Sequence, residues 1–366
     1  MTYHSGMRIA IDAREAMRAK RTGKGQWTAG FLRELASRSG IDVVPVLDDS
    51  VSDAPSNAVR IPGHGLLWHL RVAKWLKSRP VDLYVASTSY LVPAIAGGAV
   101  PCMPVVHDLI AFRGEPHDVR ATFIERLTLG RAVKRTAQVL TISDATRDDL
   151  LERYPSFDPA KVVTVYAGPD LATPPLSASD GRTILCIGTL CPRKNQLGLI
   201  NAFAALPSDI RAKHRLLLVG GRGWGDDEIV RLAQSTQGVE WKGYVDQHEY
   251  ERVLSSCHVF AFPSFYEGFG LSVLDALARG VPVLTSDRGS LKEVAGDAAL
   301  MVNPDGIETI TAGLVRLLTE PVLRGDLRKK GPTQAATFSW KRTVDLFLAS
   351  IPSKTLYTDS DGSPRL

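Results

Sequence analysis

The 366-residue chain predicts an α/β protein made of two Rossmann-like, doubly wound domains. Three observations lead there. Short apolar runs of strand length alternate with segments of helical period, the pattern of parallel sheets covered on both faces. The length exceeds the roughly 250–300 residues at which a single hydrophobic core stops growing. A Pro-, Ser- and Gly-rich run at 167–181 interrupts the pattern near the middle and resembles neither flank, as expected of an interdomain linker.

The first domain, residues 1–170, opens with a strand at Arg8–Asp12. A glycine loop, Arg21–Trp27, leads into a helix over Thr28–Ser37, and Val43–Leu47 is the second strand. Residues 50–63 read as loop, Trp68–Lys77 has helical period, and Leu83–Ala86 and Met103–Val106 are strands. Arg120–Arg135 is helical and Val139–Ile142 a strand; Ser143 is placed to cap a helix over Asp144–Arg153, since its hydroxyl can accept from a free N–H of the first turn. Val162–Tyr166 is the last strand before the linker, set at 171–181.

A second cycle fills residues 182–338. Strands are expected at Thr183–Gly188, Leu216–Val219, Val239–Trp241, Val259–Phe262 and Val281–Thr285. Helices are expected at Gln196–Ala205, Glu228–Gln234, His248–Ser255, Leu271–Arg279, Ile307–Leu318 and Leu323–Lys330. Residues 339–353 form a terminal helix, and 354–366 read as a disordered tail.

Composition narrows the class. Apolar content of 44% and charge of 23% are globular values. There is no apolar run of about 18 residues to cross a membrane and no charged-then-apolar leader. Cys102, Cys186, Cys191 and Cys257 lack metal-ligand spacing and read as free thiols of a cytoplasmic protein. The formal charge is +5, and the first 170 residues hold 22 Lys and Arg against 18 Asp and Glu. The excess lies in two acid-free clusters. One is Arg71, Lys74, Lys77 and Arg79, interleaved with Trp68, Leu70, Trp75 and Leu76; the other is Arg126, Arg131, Lys134 and Arg135. A basic amphipathic helix bearing Trp reads as a surface for peripheral contact with anionic membrane. Nucleic acid is not expected, because the imbalance is small and has no aromatic-basic recognition motif beside it.

Chemistry concentrates in residues 259–304. A buried-type strand ends at Pro263-Ser264, Glu267 follows, and Gly268-Phe269-Gly270 opens a helix at Leu271. Free N–H groups and the positive end of the dipole converge at such a helix start, so anions bind there. A carboxylate able to accept sugar hydroxyls thus stands beside a phosphate-ready helix end. A second turn, from Cys186 to Asn195, places Arg193 and Lys194 at the carboxyl edge of the second sheet, where open α/β folds bind ligands. No G-x-G-x-x-G with an acid about twenty residues on is present, which disfavours a nicotinamide enzyme. The only D-x-D element, Asp359-Ser360-Asp361, lies in the tail, so no metal is expected.

The stretch Glu267-Gly268-Phe269-Gly270-Leu271, followed by Leu274-Asp275-Ala276, resembles the signature of family 4 retaining glycosyltransferases, and the likeness runs from Ile9 to about Trp340. That family has a second Glu where this chain has Asp275, which is one methylene, or about 1.5 Å, shorter. The resemblance implies the GT-B architecture, two Rossmann-like domains facing a cleft, with the last helix crossing back onto the first domain. It implies a nucleoside diphosphate sugar as substrate, no cofactor and no metal. Glu267 would meet donor-sugar hydroxyls and Asp275 the ribose. Arg193 and Lys194 match the basic pair that faces the diphosphate; Thr189 stands where many members have Arg.

Further sites follow from the same likeness. Gly23, Lys24 and Gly25 fall in the loop that packs over the donor's phosphates and sugar. His107, beside Asp108, falls where a His bonds the sugar near its primary hydroxyl. Gly243, Tyr244 and Val245 fall in the loop against the nucleobase, and Gly220–Gly225 is placed to flank the same cleft. Similar bacterial chains build mannose-containing polysaccharides on polyprenyl-diphosphate lipids. The expected donor is therefore GDP-mannose, and the expected acceptor a lipid-linked saccharide. A UDP-sugar donor, a nucleotide-sugar epimerase and a non-catalytic sensor are the alternatives.

Overall fold

A computed structural model describes residues 6–78, 81–97, 101–113, 119–169 and 179–352. The described residues fall into two units, one drawn from Met1–Arg113, Val119–Gly168 and Trp340–Leu366, the other from Pro169–Ser339. Arg79, most of the expected linker (171–178), the Asp359–Asp361 element and the tail from 354 lie outside the described residues.

The first unit contains strands β1 (Met7–Asp12), β2 (Ile41–Leu47), β3 (Val59–Arg60), β4 (Leu83–Ala86), β5 (Cys102–Val106), β6 (Val139–Thr141) and β7 (Val162–Thr164). They form one parallel sheet in the order β3-β2-β1-β4-β5-β6-β7. The connections reverse direction between β1 and β4, so these neighbours flank the switch point at which doubly wound sheets take ligands. Its helices are α1 (Gly23–Ala36), α2 (Gly65–Lys77), α3 (Leu91–Ala96), α4 (Val119–Arg135) and α5 (Asp144–Arg153).

Two expectations need correcting here. Gly23–Trp27 is no loop but the start of α1: the Thr22 hydroxyl accepts from Gly25 N at 3.3 Å and starts the helix five residues early. Trp68, expected on a membrane-facing surface, is wholly buried, its indole N–H donating to Leu47 O at 3.2 Å and Arg14 lying 3.6 Å over its ring. Leu76 is equally buried and Trp75 is half-buried; Leu70 is exposed. The period of α2 turns its tryptophans toward the core, leaving Leu66, Leu67 and Leu70 outside.

The second unit holds β8 (Thr183–Ile187), β9 (Arg215–Val219), β10 (Val239–Trp241), β11 (Val259–Phe262), β12 (Val283–Ser286) and β13 (Ala299–Val302), parallel in the order β10-β9-β8-β11-β12-β13. Its helices are α6 (Gln196–Ala204), α7 (Ser208–Arg211), α8 (Asp227–Ser235), α9 (Gln247–Ser256), α10 (Leu271–Ala278), α11 (Gly289–Ala295), α12 (Ile307–Thr319) and α13 (Pro321–Ala335). The central strands are buried on both faces, as their unbroken apolar runs require. The switch point lies between β8 and β11, paired through Val259 with Ile184 and Phe260 with Leu185.

The last helix, α14 (Trp340–Ser350), belongs to the first unit and packs on α1. Phe31 meets Phe347 edge-on at 5.1 Å, Trp27 meets Trp340 at 6.2 Å, and Arg38 pairs with Asp345 at 2.9 Å. All four cysteines are buried and free; burial pushes the Cys102 and Cys186 thiols up to about 12. Among the described residues no helix is long and apolar enough to cross a membrane.

Candidate active site

Lys194 follows β8 and Glu267 follows β11, so the two central strands of the second sheet deliver both side chains to its switch point. Lys194 Nζ lies 2.8 Å from Glu267 Oε1, and an Arg193 terminal nitrogen lies 2.9 Å from Oε2. Each carboxylate oxygen therefore has its own cation. Ser264 donates to Oε1 at 3.0 Å, and Ser290 donates to the Glu267 carbonyl at 2.6 Å. Burial opposes the charge on Glu267, but Arg193 and then Lys194 overcome it and hold the carboxyl at about 2. It is an ionised acceptor at neutral pH.

The two loops are sewn together by backbone and by one asparagine. Phe265 N donates to Arg193 O at 2.9 Å, the Ser264 hydroxyl oxygen lies 3.0 Å from the same carbonyl, and an Arg193 terminal nitrogen donates to Tyr266 O. Asn195 takes a left-handed conformation (φ 55°, ψ 34°) that ends the Pro192–Lys194 turn and begins α6. Its side-chain oxygen accepts from Gly198 N at 3.2 Å, while its amide nitrogen donates to Pro263 O at 3.1 Å and Pro304 O at 2.8 Å. Asn tolerates this region of backbone space better than most residues.

Gly268, Phe269 and Gly270 form the turn into α10, with Gly270 as the cap at φ 103° and Leu271 as the first helical residue. A side chain at Gly270 would be strained by that angle and would meet Leu291 at 2.7 Å. Phe269 is buried edge-on against Phe338 at 5.6 Å. Asp275, one turn further, is buried; its Oδ2 accepts from the Tyr250 hydroxyl at 2.7 Å, and Arg279 lies 3.9 Å from Oδ1.

The remaining second-unit residues lie along the same strand edge. Gly188 N donates to Val219 O and Leu190 N to Gly221 O, so Thr189 sits between the loops after β8 and β9. Gly220 N donates to Gly243 O at 2.8 Å, which sets Gly243, Tyr244 and Val245 beside them. Tyr244 is exposed. Arg193, Lys194, Glu267, Thr189 and Gly243 are thus brought onto one sheet edge.

In the first unit, His107 follows β5 and Lys24 lies in the first turn of α1. His107 Nε2 donates to Ser87 O at 2.7 Å, and Trp27 meets its ring edge-on at 5.4 Å. Burial first, and the charge of Lys24 second, keep His107 neutral and lower it to about 4. Lys24 pairs with Glu125 at 3.2 Å. Gly25 sits close under the Glu15 carbonyl, while space around Gly23 is open.

Sequence reasoning passed over a buried network at this unit's own switch point. Arg14 binds Asp12 through two 2.8 Å bonds, Thr88 donates to Asp12 Oδ2 at 2.6 Å, and Ser87 donates to Asp12 O at 2.5 Å. His69 donates from Nδ1 to Gly65 O at 2.7 Å, leaving Nε2 to accept from Arg14 at 3.2 Å. The signal was present as an acid ending the first strand and hydroxyls ending the fourth. Among the described residues no three His, Cys, Asp or Glu side chains are grouped to hold a metal.

Known proteins resemble this chain along most of its length. The family profile of Glycosyl transferases group 1 matches residues 172–334, and that of Glycosyltransferase Family 4 matches 28–173. The chain is 28% identical to O-antigen chain mannosyltransferase B of Escherichia coli, over 90% of this chain and 96% of that protein. It is 25% identical to O-antigen chain mannosyltransferase RfbU of Salmonella typhimurium, over 79% of this chain and 85% of that protein. It superposes on Anabaena HepE, solved in complex with UDP-glucose, with a TM-score of 0.76 at 16% identity, over 94% of this chain and all of that one. Two parallel-sheet α/β units, matched in turn by two adjoining glycosyltransferase profiles, make the fold GT-B, and the chain belongs to the family 4, group 1 glycosyltransferases and is a hexosyltransferase.

Proposed function

We propose that the chain transfers mannose from GDP-mannose, with retention of configuration, to a lipid-linked saccharide in the assembly of a surface polysaccharide. The observation that carries the reading is the switch-point cluster of Arg193, Lys194 and Glu267. Two cations against one carboxylate leave the cluster with excess positive charge. A diphosphate supplies what that excess calls for, and its charge grows as the sugar–phosphate bond breaks. The choice of mannose rests on the two aligned O-antigen mannosyltransferases.

In this reading Arg193 and Lys194 take the diphosphate, with the N–H groups at the start of α10 as further donors. Glu267, released from part of its ion pairing, accepts from sugar hydroxyls. Asp275 accepts from the ribose, Thr189 faces the phosphates, and Gly243, Tyr244 and Val245 line the base. His107, neutral at pH 7, offers Nδ1 as an acceptor to the sugar's primary hydroxyl. The acceptor oxygen bonds to the sugar's anomeric carbon on the face that the phosphate oxygen leaves. The acceptor's proton passes to that phosphate oxygen, so no enzyme nucleophile is needed. No metal takes part, because fixed cations fill that role. The protein works as a peripheral protein on anionic membrane, through its first unit.

A UDP-sugar donor is the second reading, favoured by the fold's likeness to a protein solved with UDP-glucose. Thermal shift with GDP-mannose, GDP, UDP-glucose and UDP decides between them. A ligand at 100-fold its Kd adds about 2.7 kcal/mol of stability. Selective stabilisation by GDP compounds, with labelled mannose passed to a membrane lipid extract in excess EDTA, is expected. Stabilisation by UDP compounds alone overturns the donor, and stabilisation by none overturns the reading.

A further inference from the structure

A second group of basic side chains stands at the edge of the second sheet opposite Lys194 and Glu267. His214 immediately precedes β9 and His258 immediately precedes β11, so both lie at the amino edge. Glu267 follows β11, and that strand alone spans four residues, roughly 13 Å. The two imidazole rings are stacked, with centroids 6.1 Å apart and planes 26° from parallel. His214 donates from Nδ1 to Ile210 O at 2.7 Å, which leaves Nε2 for another partner. His258 Nδ1 lies 3.2 Å from the hydroxyl of Ser179, at the end of the expected linker.

Arg324 and Arg328 complete the cluster from α13. They are four residues apart and share one helix face, where like charges repel. Among the described residues neither forms an ion pair, and Asp326, between them in sequence, is held by Lys330 at 3.2 Å. Arg324 uses a terminal nitrogen to donate to Leu317 O at 2.7 Å, whereas the buried Nε of Arg328 donates to nothing among the described residues. The acid that acts on His258 is Asp180, and it is engaged elsewhere. Its carboxylate accepts from Arg182 N and Thr183 N at 3.0 and 2.9 Å and from the Thr183 hydroxyl, and Arg215 lies 3.8 Å away. The adjacent Cys257 thiol is kept protonated by burial.

The crowding is visible in the titration of its members. Burial first, then Arg324, His214 and Arg328, lower His258 to about 4. Burial, then Arg328, lowers Arg324. Positive charge is gathered here with too little negative charge to balance it. A tetrahedral dianion answers both faults. Guanidinium forks take phosphate oxygens with fixed geometry, and the anion's charge removes the repulsion between them. Its oxygens point in several directions, as groups arriving from α13 and from two strand starts require. A single carboxylate has one plane and half the charge.

We propose that Arg324, Arg328, His214 and His258 bind the dianion of phosphate or of a phosphomonoester, at an effector site separate from the donor site and independent of the proposed function. The test is thermal-shift titration of the full chain with inorganic phosphate, glucose 6-phosphate and inorganic sulfate. Lys194→Ala leaves Arg193 and Glu267 balanced, so anion stabilisation should persist in that variant. Arg328→Met keeps the packed stem and removes the like charge. It should melt no lower than the wild type without anion, and bind phosphate about tenfold more weakly or worse. Tighter binding of glucose 6-phosphate than of phosphate identifies a phosphomonoester as the ligand; the reverse identifies the free ion. Sulfate keeps its charge between pH 8 and pH 5, so its affinity should rise as pH falls and His258 takes up a proton. His258→Gln should lose most of that rise, and a rise as steep as in the wild type overturns the proposal. So does stabilisation that Lys194→Ala abolishes and Arg328→Met retains, which places the anion at the donor cluster, or the absence of stabilisation by all three anions.

Discussion

Lys194 Nζ and Glu267 Oε1 are 2.8 Å apart although 73 residues of chain separate them. The strands preceding them are hydrogen-bonded neighbours whose connections run in opposite directions, and that reversal opens the space their side chains fill. Both side chains are nearly buried, Lys194 at 14% exposure and Glu267 at 10%. Neither charge could be tolerated there alone.

Glu267→Ala should therefore separate binding from turnover. Without donor it leaves Arg193 and Lys194 facing each other, at a cost of about 3–5 kcal/mol for breaking a buried pair. A nucleoside diphosphate would no longer compete with the carboxylate, so it should stabilise the variant more than the wild type. Turnover should still collapse, because the sugar loses its acceptor. Lys194→Ala should lower kcat by about 10²–10³. Thermal shift with GDP and steady-state kinetics check both; equal stabilisation of E267A and wild type would count against the phosphate role.

Asn195 holds the cationic loop against the Glu267 loop, and it touches no charged group of the cluster. Asn195→Asp keeps the bond to Gly198 N but loses the amide donations to Pro263 O and Pro304 O. Leaving two buried carbonyls unpaired costs about 1–3 kcal/mol each. Asn195→Gly keeps the left-handed backbone and loses all three bonds. Both variants should fold less stably and show reduced kcat, with Gly the worse in melting temperature. A Gly variant as active as the wild type would remove the positioning role.

The two-cycle alternation, the central strands and the glycine turn into α10 were legible because buried parallel strands read as unbroken apolar runs and a helix start needs its cap. Leu83–Ala86 and Val259–Phe262 fall where their composition puts them. Short elements were not legible. Val59–Arg60 is two residues long, and Leu91–Ala96 holds a proline and no polar face to mark a period. The start of α1 was missed because glycines in a first turn look like a loop until the Thr22 cap is seen. The orientation of α2 was misread because tryptophans between lysines fit a surface as well as a core; only packing decides. The Asp12–Arg14–His69 network was signalled only by an acid ending the first strand and hydroxyls ending the fourth, while its reach across 55 residues to His69 leaves no local spacing to find.

Acid should destabilise the protein in two stages. His107 is held down near 4 by burial and by Lys24, so the unfolded chain binds its proton first as pH falls below 6.5. Stability is full above 6.5 and declines toward pH 4, by on the order of 3 kcal/mol for this group. Glu267, held at about 2 against burial by Arg193 and Lys194, contributes stability above about 4.5 that is lost as pH falls toward 2. His258, also held near 4 by burial and then by Arg324, shares this upper stage, so His107→Gln, which can still donate to Ser87 O, should reduce its slope without removing it and leave the lower stage alone. Denaturant midpoints from pH 8 to pH 4 measure it, and an unchanged slope in the variant would show that His107 is not the group responsible.

Tyr250 and Asp275 supply the sharpest test of the ribose site. Asp275 is the position at which the chain departs from the family's second Glu, and its Oδ2 already accepts from the Tyr250 hydroxyl at 2.7 Å. A shorter carboxylate held by a phenol from α9 is fixed in direction, which offsets the lost reach. Tyr250→Phe removes that donor without changing the carboxylate's charge and should raise the donor KM about five- to tenfold, worth roughly 1–1.4 kcal/mol, with kcat little changed. Asp275→Ala should cost more, because a buried acceptor and its phenol partner are both lost. Asp275→Glu in the wild-type background should clash with Tyr250 and bind donor poorly, whereas the same change combined with Tyr250→Phe should recover affinity. Donor titration across the four variants gives the coupling directly. If Asp275→Glu binds donor equally well with and without the accompanying Tyr250→Phe change, the two side chains act independently and Asp275 owes nothing to the phenol.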